Sequence, residues 1–367
     1  MKTQFHLARW LAVMLVMIVT SSVIAQPYNQ NPTQTVCVGE QPYFVDPSPI
    51  VGTNYVWTVS AGGTIISGDG TPNIVINWTV PGGPYTVSVY TEAAGCIGNT
   101  VTVDVTVTDD PSATIDYAGN PFCITSSPVA VTLVGSAGGV FSALPAGLTI
   151  DPSTGTITPA TSLAGTYVVS YDIAGTNFCS PFNTTTSVTI TDAPSATIAY
   201  AGNPFCTTSA PVAVTLTGDI GGVFSAPAGL TIDPATGTIT PATSTPGTYT
   251  VTYTIAAAGG CALFSTTFDV TITDAPSATI AYAGNPFCTT DGPVVVDFTG
   301  DAGGTFTSTP GGLTIDPVTG TITPSTSTPG TYTVTYTIAA GGGCPEFTVS
   351  TTVTINQTPT TSPIWHN

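Results

Sequence analysis

The sequence predicts an all-β protein built as a tandem array of small β-sandwich domains. A 13-residue segment that begins at Pro111 recurs almost unchanged at Pro194 and Pro276, so the period is 82 to 83 residues. A period of this length corresponds to one whole domain per copy. Apolar residues alternate with threonine in several segments, and turn-forming residues separate these segments at roughly 8–12-residue intervals, which is typical of sandwiches.

The strand prediction is carried most clearly by Thr248–Ile255, where apolar and polar residues alternate at every position. Successive side chains of a strand point to opposite faces, so one face of this segment is apolar and the other is made of threonine. The same pattern recurs at 331–338 and, less regularly, at 166–173. In the first of these strands, the predicted core-facing residues are Tyr249, Val251, Tyr253 and Ile255.

A hairpin is predicted in each repeat by the sequence Gly-Leu-Thr-Ile-Asp-Pro-x-Thr-Gly-Thr-Ile, which begins at Gly147, Gly229 and Gly312. In the first copy, Asp151 begins the turn and Pro152 presets its backbone. Gly155 takes the left-handed conformation before the return strand.

The domain boundaries follow from the repeat and from the amino terminus. Lys2 and Arg9, an apolar stretch over 11–19 and a cleavage pattern before Gln26 predict a signal peptide over residues 1–25. We then predict a first domain of different type over 26–110. Three repeats follow over 111–193, 194–275 and 276–358, and 359–367 is a tail that could start a further strand.

The charge distribution excludes several partners. The only two basic residues, Lys2 and Arg9, lie in the predicted signal peptide, whereas all 20 acidic residues follow it. A chain without lysine or arginine cannot neutralise phosphates, so nucleic acid is excluded as a partner. Outside residues 1–25 we find no segment suited to membrane insertion, and we expect a secreted chain that is extracellular or held at a cell surface.

The eight cysteines predict disulfides, because an even number in an exported chain is typical of a disulfide framework. Each predicted domain has one cysteine near its start and one before its last strand. We therefore expect the pairs Cys37–Cys96, Cys123–Cys179, Cys206–Cys261 and Cys288–Cys344. A rival pairing links neighbouring domains, for example Cys179 with Cys206, and leaves unpaired thiols in the first and last domains.

Residues 37–108 resemble a PKD-like module of the kind common in Bacteroidetes surface proteins. The residues that carry this resemblance are Cys37, Tyr55–Trp57, Gly68–Thr71, Ile74–Trp78 and Gly95–Cys96. Residues 111–358 resemble bacterial immunoglobulin-like repeats through the hairpin described above. The resemblance implies four immunoglobulin-like β-sandwich domains and a cell-surface setting, while such modules occur in adhesins, enzymes and filaments alike.

Catalytic chemistry is not expected, and no cofactor is predicted. After the signal peptide the one histidine is His366, next to the last residue. Asp151, Asp233 and Asp316 recur at the same turn, as turn residues do. Calcium is the one ion considered, because it prefers clustered oxygen ligands, and the candidate ligands at the domain joints are Asp109, Asp110, Asp192 and Asp274.

The tail contains two large apolar residues, Ile364 and Trp365. A lone strand with such residues would pair with an open sheet edge of another subunit, giving head-to-tail assembly. The alternatives are a disordered tail or a truncated sequence.

Taken together, these patterns predict a non-enzymatic extracellular structural or adhesive protein. It would be a disulfide-stabilised rod of several domains that forms part of a cell-surface stalk or filament, with itself or other surface proteins and glycans as partners. The alternative is a glycan- or protein-binding first domain presented on a repeat spacer. Exposed tryptophan in that domain would favour the alternative.

Overall fold

A computed structural model describes residues 33–176 and 179–365. The predicted signal peptide and His366 lie outside these residues. The described chain contains 26 β-strands and three single-turn 3-10 helices, which confirms the all-β, tandem immunoglobulin-like fold class. No helix within the described ranges is long and apolar enough to span a bilayer.

Contacts divide the chain into two compact units. The described part of the first unit comprises residues 33–115, 133–140, 170–176 and 179–185. The second comprises residues 116–132, 141–169 and 186–365. The boundary therefore falls within the first repeat, whereas the second and third repeats lie wholly in the second unit.

The first domain, which lies in the first unit, contains two sheets that enclose one core. One sheet has the order β1-β8-β6-β3 with β7 added to β6, and the other has the order β2-β5-β4. β1 runs parallel to β8, and it brings Cys37 opposite Thr108. The core includes Val36, Ile76, Trp78 and Val105. The strands are β1 (Thr33–Cys37), β2 (Gly39–Phe44), β3 (Asn54–Val59), β4 (Gly63–Ser67), β5 (Asn73–Trp78), β6 (Gly82–Ala93), β7 (Cys96–Ile97) and β8 (Val101–Thr108).

The first repeat contributes six strands, at positions that recur in the two later repeats. Its single-turn helix covers Pro159–Thr161. The strands are β9 (Ala113–Asp116), β10 (Phe122–Cys123), β11 (Thr132–Gly135), β12 (Val140–Leu144), β13 (Gly165–Ile173) and β14 (Phe182–Thr191).

In the second repeat a two-stranded sheet, β15-β17, packs on a four-stranded sheet of order β16-β20-β19-β18. One core, which includes Ile198, Tyr253 and Ile272, lies between the two sheets. The strands are β15 (Ala196–Ala199), β16 (Phe205–Cys206), β17 (Thr215–Gly218), β18 (Val223–Ser225), β19 (Gly247–Ile255) and β20 (Phe264–Thr273), and the single-turn helix is Pro241–Thr243.

The third repeat has the same arrangement, with sheets β21-β23 and β22-β26-β25-β24. Its separate core includes Ile280, Tyr336 and Ile355. The strands are β21 (Ala278–Ala281), β22 (Phe287–Cys288), β23 (Asp297–Gly300), β24 (Thr305–Thr309), β25 (Gly330–Ile338) and β26 (Phe347–Asn356), and the single-turn helix is Pro324–Thr326.

The alternation predicted for β19 is confirmed. Tyr249, Val251 and Tyr253 are buried, and Ile255 is half-buried. The hydroxyl of Tyr253 donates to the carbonyl of Asp219 at 3.1 Å and accepts the N–H of Gly222 at 2.9 Å. Burial of this tyrosine therefore leaves its polar atom satisfied, as a close-packed core requires.

The predicted hairpin is also confirmed. In the second repeat, Asp233 and Thr238 are joined by an N–H to carbonyl hydrogen bond of 2.9 Å, and the N–H of Gly237 donates to the carbonyl of Asp233 at 2.8 Å. Gly237 has a φ of 70°, which places it in the left-handed region. The aspartate carboxylate accepts the N–H groups of Ala235 and Thr236, so the recurring aspartate is a turn residue.

The carboxylates of these turns should make the thermal stability of the protein depend on pH. Hydrogen bonds from the Ser153 hydroxyl and from the N–H groups of Thr154 and Ser153 lower the pKa of Asp151 to about 2. Backbone N–H donors lower the pKa of Asp233 and Asp316 in the same direction. A carboxyl whose pKa is depressed by folding stabilises the protein above its unfolded pKa of about 4, and this contribution is lost as the pH falls through the folded pKa. We therefore expect the melting temperature to fall between about pH 4 and pH 2.

The triple variant D151N/D233N/D316N is the control for this prediction. Its side chains keep an acceptor oxygen and cannot titrate, so the decline in melting temperature over the same pH interval should be shallower than in the unmodified chain. Equal slopes in the two proteins would contradict the assignment of this stability to the three turns.

The cysteines are paired differently from the prediction. The disulfides are Cys37–Cys179, Cys123–Cys261 and Cys206–Cys344, whereas Cys96 and Cys288 are free. The predicted pairs Cys37–Cys96, Cys123–Cys179, Cys206–Cys261 and Cys288–Cys344 are therefore wrong. Each bridge joins the first cysteine of one domain to the second cysteine of the next, and the unpaired thiols fall in the first and last domains.

The second repeat shows why a bridge within one domain does not form. Cys206 lies opposite Thr273, the last residue of β20, whereas Cys261 precedes Phe264, the first residue of that strand. A ten-residue strand is about 30 Å long, at roughly 3.3 Å per residue. A disulfide requires Cα atoms within about 7 Å of each other, so the two cysteines lie at opposite ends of their own domain.

Candidate functional site: the disulfide-bonded joints

The first half of each joint is built by a short parallel strand. In β16, Phe205 pairs with Ile272 and Cys206 pairs with Thr273. In the first repeat, Cys123 pairs in the same way with Thr191. Because β14 and β20 run toward the next domain, this pairing brings the cysteine to the carboxyl-terminal end of its own domain, next to the joint.

The second half of each joint is a tight turn that ends in the second cysteine. Ala258 and Cys261 pair across this turn, and the N–H of Cys261 donates to the carbonyl of Ala258 at 2.9 Å. The residues between them, Gly259 and Gly260, have φ angles of 58° and 76°. Two successive positive φ angles define a type I′ turn, which glycine adopts without steric cost. Gly342 and Gly343 form the equivalent turn before Cys344, with φ angles of 58° and 80°.

The two halves fit closely at the backbone. A Cβ atom on Gly260 would fall on the carbonyl oxygen of Pro121, and one on Gly343 would fall on that of Pro204. Both prolines belong to the sequence Asn-Pro-Phe-Cys, and both follow a cis peptide bond. Two independent constraints therefore require glycine at residues 260 and 343. One is the positive φ angle, and the other is the close contact with the backbone of the neighbouring domain.

A threonine hydrogen bond connects the halves beside each bridge. The hydroxyl of Thr191 donates to the carbonyl of Gly259, and that of Thr273 donates to the carbonyl of Gly342. The sulfur of Cys261 lies 3.2 Å from the carbonyl oxygen of Asp192, and that of Cys344 lies 3.3 Å from the carbonyl oxygen of Asp274. A disulfide sulfur has no proton to donate, so these are packing contacts of the bridge against the linker.

The bridges in the second unit are buried. All four cysteines, Cys123, Cys261, Cys206 and Cys344, are less than a tenth exposed. Their Cα atoms are 4.7 Å apart in each pair, within the normal range for disulfides. Because thiol exchange requires access to a sulfur atom, burial protects these bridges from reductants.

The joint in the first unit uses the same elements, since Cys37 lies opposite Thr108, the last residue of β8, and the N–H of Cys179 donates to the carbonyl of Thr176 at 2.8 Å. The Cα atoms of Cys37 and Cys179 are 5.0 Å apart, and the N–H of Ser180 donates to the carboxylate of Asp110 at 3.3 Å. Within the described ranges, Cys37, Asp110 and Cys179 are the one group of three side chains close enough to share a metal ion. Two of the three are oxidised in the bridge and offer no thiolate, so this group is not a metal site.

The predicted calcium ligands are distributed among the joints. Asp109 and Asp110 lie at the joint in the first unit, and Asp192 and Asp274 lie one at each of the later joints. All four residues are exposed. The carbonyl groups of Asp192 and Asp274 face the disulfides. Calcium binding at the joints stays a prediction.

The tail and the two free cysteines are not part of any joint in the structure. Residues 357–365 form no strand, and Ile364 and Trp365 are 98% and 86% exposed. Cys96 is exposed and Cys288 is half-buried. The pairing expected from the sequence left no thiol free, whereas the rival pairing between neighbouring domains left one free thiol in the first domain and one in the last, as in the structure.

The two tryptophans of the first domain are occupied by internal contacts. Trp78 is buried, and its indole N–H donates to the hydroxyl of Tyr43 at 3.1 Å. Trp57 is half-buried, and its indole N–H donates to the carbonyl of Thr71 at 2.8 Å. Neither is an exposed platform for a sugar ring, which was the feature expected of a glycan-binding first domain.

A shallow cavity of about 250 Å³ lies in the third repeat. Its wall contains Phe298, Phe306 and Tyr336, together with Val295, Val318 and small residues. No acidic residue, histidine or cysteine lines it. This cavity therefore offers neither a carboxylate pair nor a nucleophile with an adjacent base.

Comparison with known proteins does not assign this chain to a family. No protein-family model matches the sequence, and no curated protein matches it. The PKD-like resemblance of residues 37–108 therefore stays a prediction.

Similar solved structures include cadherin domains 3–6 of protocadherin gamma B2 (11% identity, 90% of this chain and 99% of that chain, TM-score 0.29). A second is Drosophila N-cadherin EC1-4, with 11% identity, coverage of 89% of this chain and 100% of that chain, and a TM-score of 0.28. A third is the eight N-terminal Ig domains of Down Syndrome Cell Adhesion Molecule, with 12% identity, coverage of 89% of this chain and 48% of that chain, and a TM-score of 0.41. At these scores the similarity supports no functional assignment, and the fold assignment rests on the strand order given above.

Proposed function

We propose that this chain is a non-enzymatic extracellular structural or adhesive protein whose disulfide-bonded domains form part of a cell-surface stalk or filament. The observation that carries the proposal is the placement of the disulfides. All three join successive domains, whereas a disulfide that only stabilised a domain would close a loop within it.

A joint of this kind has two covalent connections. Between the second and third repeats, one connection is the backbone through Asp274 and Pro276, and the other is the Cys206–Cys344 bridge. A single short linker leaves bending and twisting free, because it fixes the neighbouring domains at one point. A second connection at a different point restrains both motions, which suits a protein that transmits force or keeps a fixed spacing.

The setting that we propose is oxidising and outside the cytoplasm. Disulfides form and persist in secreted and cell-surface proteins and are rare in reducing compartments. The predicted signal peptide over residues 1–25 agrees with this setting. A surface of threonine, serine and carboxylates with no lysine or arginine beyond residue 9 favours solubility through mutual repulsion of copies.

Assembly through the tail is the part of this proposal that imaging tests. In the absence of an added thiol oxidant, negative-stain images of the exported chain, residues 26–367, should show fibres, and the deletion variant lacking residues 359–367 should show single particles. The physical reason is the exposure of Ile364 and Trp365, which would gain buried area by packing on another subunit. The double variant I364S/W365S is the matched control, because it keeps the chain length. Fibres that persist in both variants would contradict assembly through the tail.

The alternative function is recognition of a glycan or protein by the first domain. The observation that favours it is an exposed apolar loop between β2 and β3, in which Ile50 and Val51 face solvent. The variant I50S/V51S should then lose surface binding while the repeats remain folded. Unchanged adhesion of cells carrying that variant would remove this alternative.

A further inference from the structure

The two free cysteines occupy the two halves of a joint that the described residues do not complete. Cys288 follows Phe287 in β22 and pairs with Asn356 in β26, as its counterpart Cys206 pairs with Thr273. Cys123 and Cys206 are each bonded to the domain that follows. Cys288 therefore lies where a bond to a following domain would form, and its sulfur is free. We call such an unbonded side of a joint a half-joint.

Cys96 is the other half. It pairs with Ala93 across a two-residue turn, in which Ala94 and Gly95 have φ angles of 50° and 81°. Within the described ranges, Ala94 is the one residue other than glycine with a positive φ. The turn is thus the same type I′ turn that presents Cys261 and Cys344, kept even where a side chain makes it costly.

The surroundings of the turn glycine show that its counterpart is missing. Gly260 and Gly343 each lie against a proline carbonyl of the preceding domain, whereas a Cβ atom on Gly95 would have no atom within 4 Å. At the other end, Pro286 belongs to the same Asn-Pro-Phe-Cys sequence that contains Pro121 and Pro204. The chain therefore carries an unused proline surface and an unused turn of matching shape.

We propose that Cys288 of one copy forms a disulfide with Cys96 of a second copy, in a junction that repeats the geometry of the internal joints. This inference rests on the proposed filament function and names the partner as a second copy of this chain. Because the two surfaces differ, the contact is heterologous, and repetition of such a contact extends into an open chain of copies. Asn356 stands where Thr191 and Thr273 stand in the internal joints, and its amide can donate to the carbonyl of Ala94 as those hydroxyls donate to glycine carbonyls.

The bond requires an oxidant, for which a disulfide-bearing thiol oxidoreductase is the appropriate class. The thiolate of Cys288 attacks the disulfide of the oxidant, forms a mixed disulfide and releases one thiolate. The thiolate of Cys96 then attacks the Cys288 sulfur and displaces the second. Two protons and two electrons leave the cysteines, and the oxidant becomes a dithiol.

The test uses the exported chain, residues 26–367, with oxidised glutathione as the oxidant. On a non-reducing gel it should form a ladder that collapses to monomer on reduction. The variants C96S and C288S should each lose all species above dimer. Mixed together they should give a linked heterodimer and nothing longer, because each supplies one half-joint. Mass mapping of that heterodimer should show a Cys96–Cys288 peptide.

The variant G95A separates a fitted junction from random thiol oxidation. It keeps both thiols, but its new Cβ atom would fall on the Pro286 carbonyl of the second copy, so the ladder should be strongly reduced. A ladder of unchanged intensity would overturn the proposal. So would a Cys96–Cys288 link within one chain, or a mixture of C96S and C288S that yields only monomers or homodimers.

Imaging distinguishes this failure from failure of the proposed function. Fibres that form under oxidising conditions without a Cys96–Cys288 link would refute the covalent junction and would still support the proposed filament function. Neither fibres nor links would refute both.

Discussion

Replacing Cys206 by serine should uncouple the last two repeats without unfolding either one. The two repeats have separate cores, and the Cys206–Cys344 bridge spans 138 residues of sequence. On the chain-entropy account, a cross-link over this length stabilises by about 5 kcal/mol. Thermal unfolding of C206S should therefore begin at a lower temperature than in the unmodified chain, with the third repeat unfolding as a separate transition.

The partner cysteines provide the controls for this prediction. C344S should match C206S, and the double variant should be no less stable than either single variant, because all three lack the same bond. C261S should instead match C123S. If C206S and C261S proved to be the equivalent pair, the bridge would lie within the second repeat and the joint would not exist.

The variant G343A should open the same joint while keeping both cysteines. Alanine at a left-handed position costs roughly 1–2 kcal/mol, and here its Cβ atom would also fall on the carbonyl oxygen of Pro204. Backbone cannot move aside as a side chain can, so the turn must leave the neighbouring domain. We expect a lower melting temperature and a larger fraction of free thiol at Cys344 after refolding with limiting oxidant.

G95A is the matched control for G343A within one chain. The two glycines have φ angles of 81° and 80°, but Gly95 has no atom within 4 Å of the Cβ position. In the monomer, G95A should therefore show only the conformational cost. Equal losses of melting temperature in the two variants would show that Gly343 is needed for its turn alone and that the domains do not press together there.

Much of the fold could be predicted from local patterns. The alternation of Tyr249, Val251 and Tyr253 follows from the period of a strand, and the hairpins follow from the conformational preferences of aspartate, proline and glycine. These signals depend on residues that are close in sequence, and the structure confirms them.

The joints could not be predicted in this way, because the pairing of the cysteines depends on the direction of a two-residue strand. A strand as short as Phe205–Cys206 has no period to read, and its parallel pairing with β20 decides which end of the domain receives Cys206. The spacing of the cysteines alone predicted one bridge within each domain, because each domain has two cysteines at similar positions. The glycine pairs before Cys261 and Cys344 are the sequence feature that indicates the joints. A glycine pair before a cysteine predicts a tight turn, and a tight turn places the cysteine at the end of a domain.

Disulfide mapping of residues 26–367 by mass spectrometry tests the central claim most directly. Because the chain has no lysine or arginine after residue 9, trypsin is unsuitable, and digestion with pepsin at low pH also suppresses thiol exchange. The arrangement described here predicts linked peptides containing Cys123 with Cys261 and Cys206 with Cys344. Linked peptides containing Cys123 with Cys179 and Cys206 with Cys261 would contradict it.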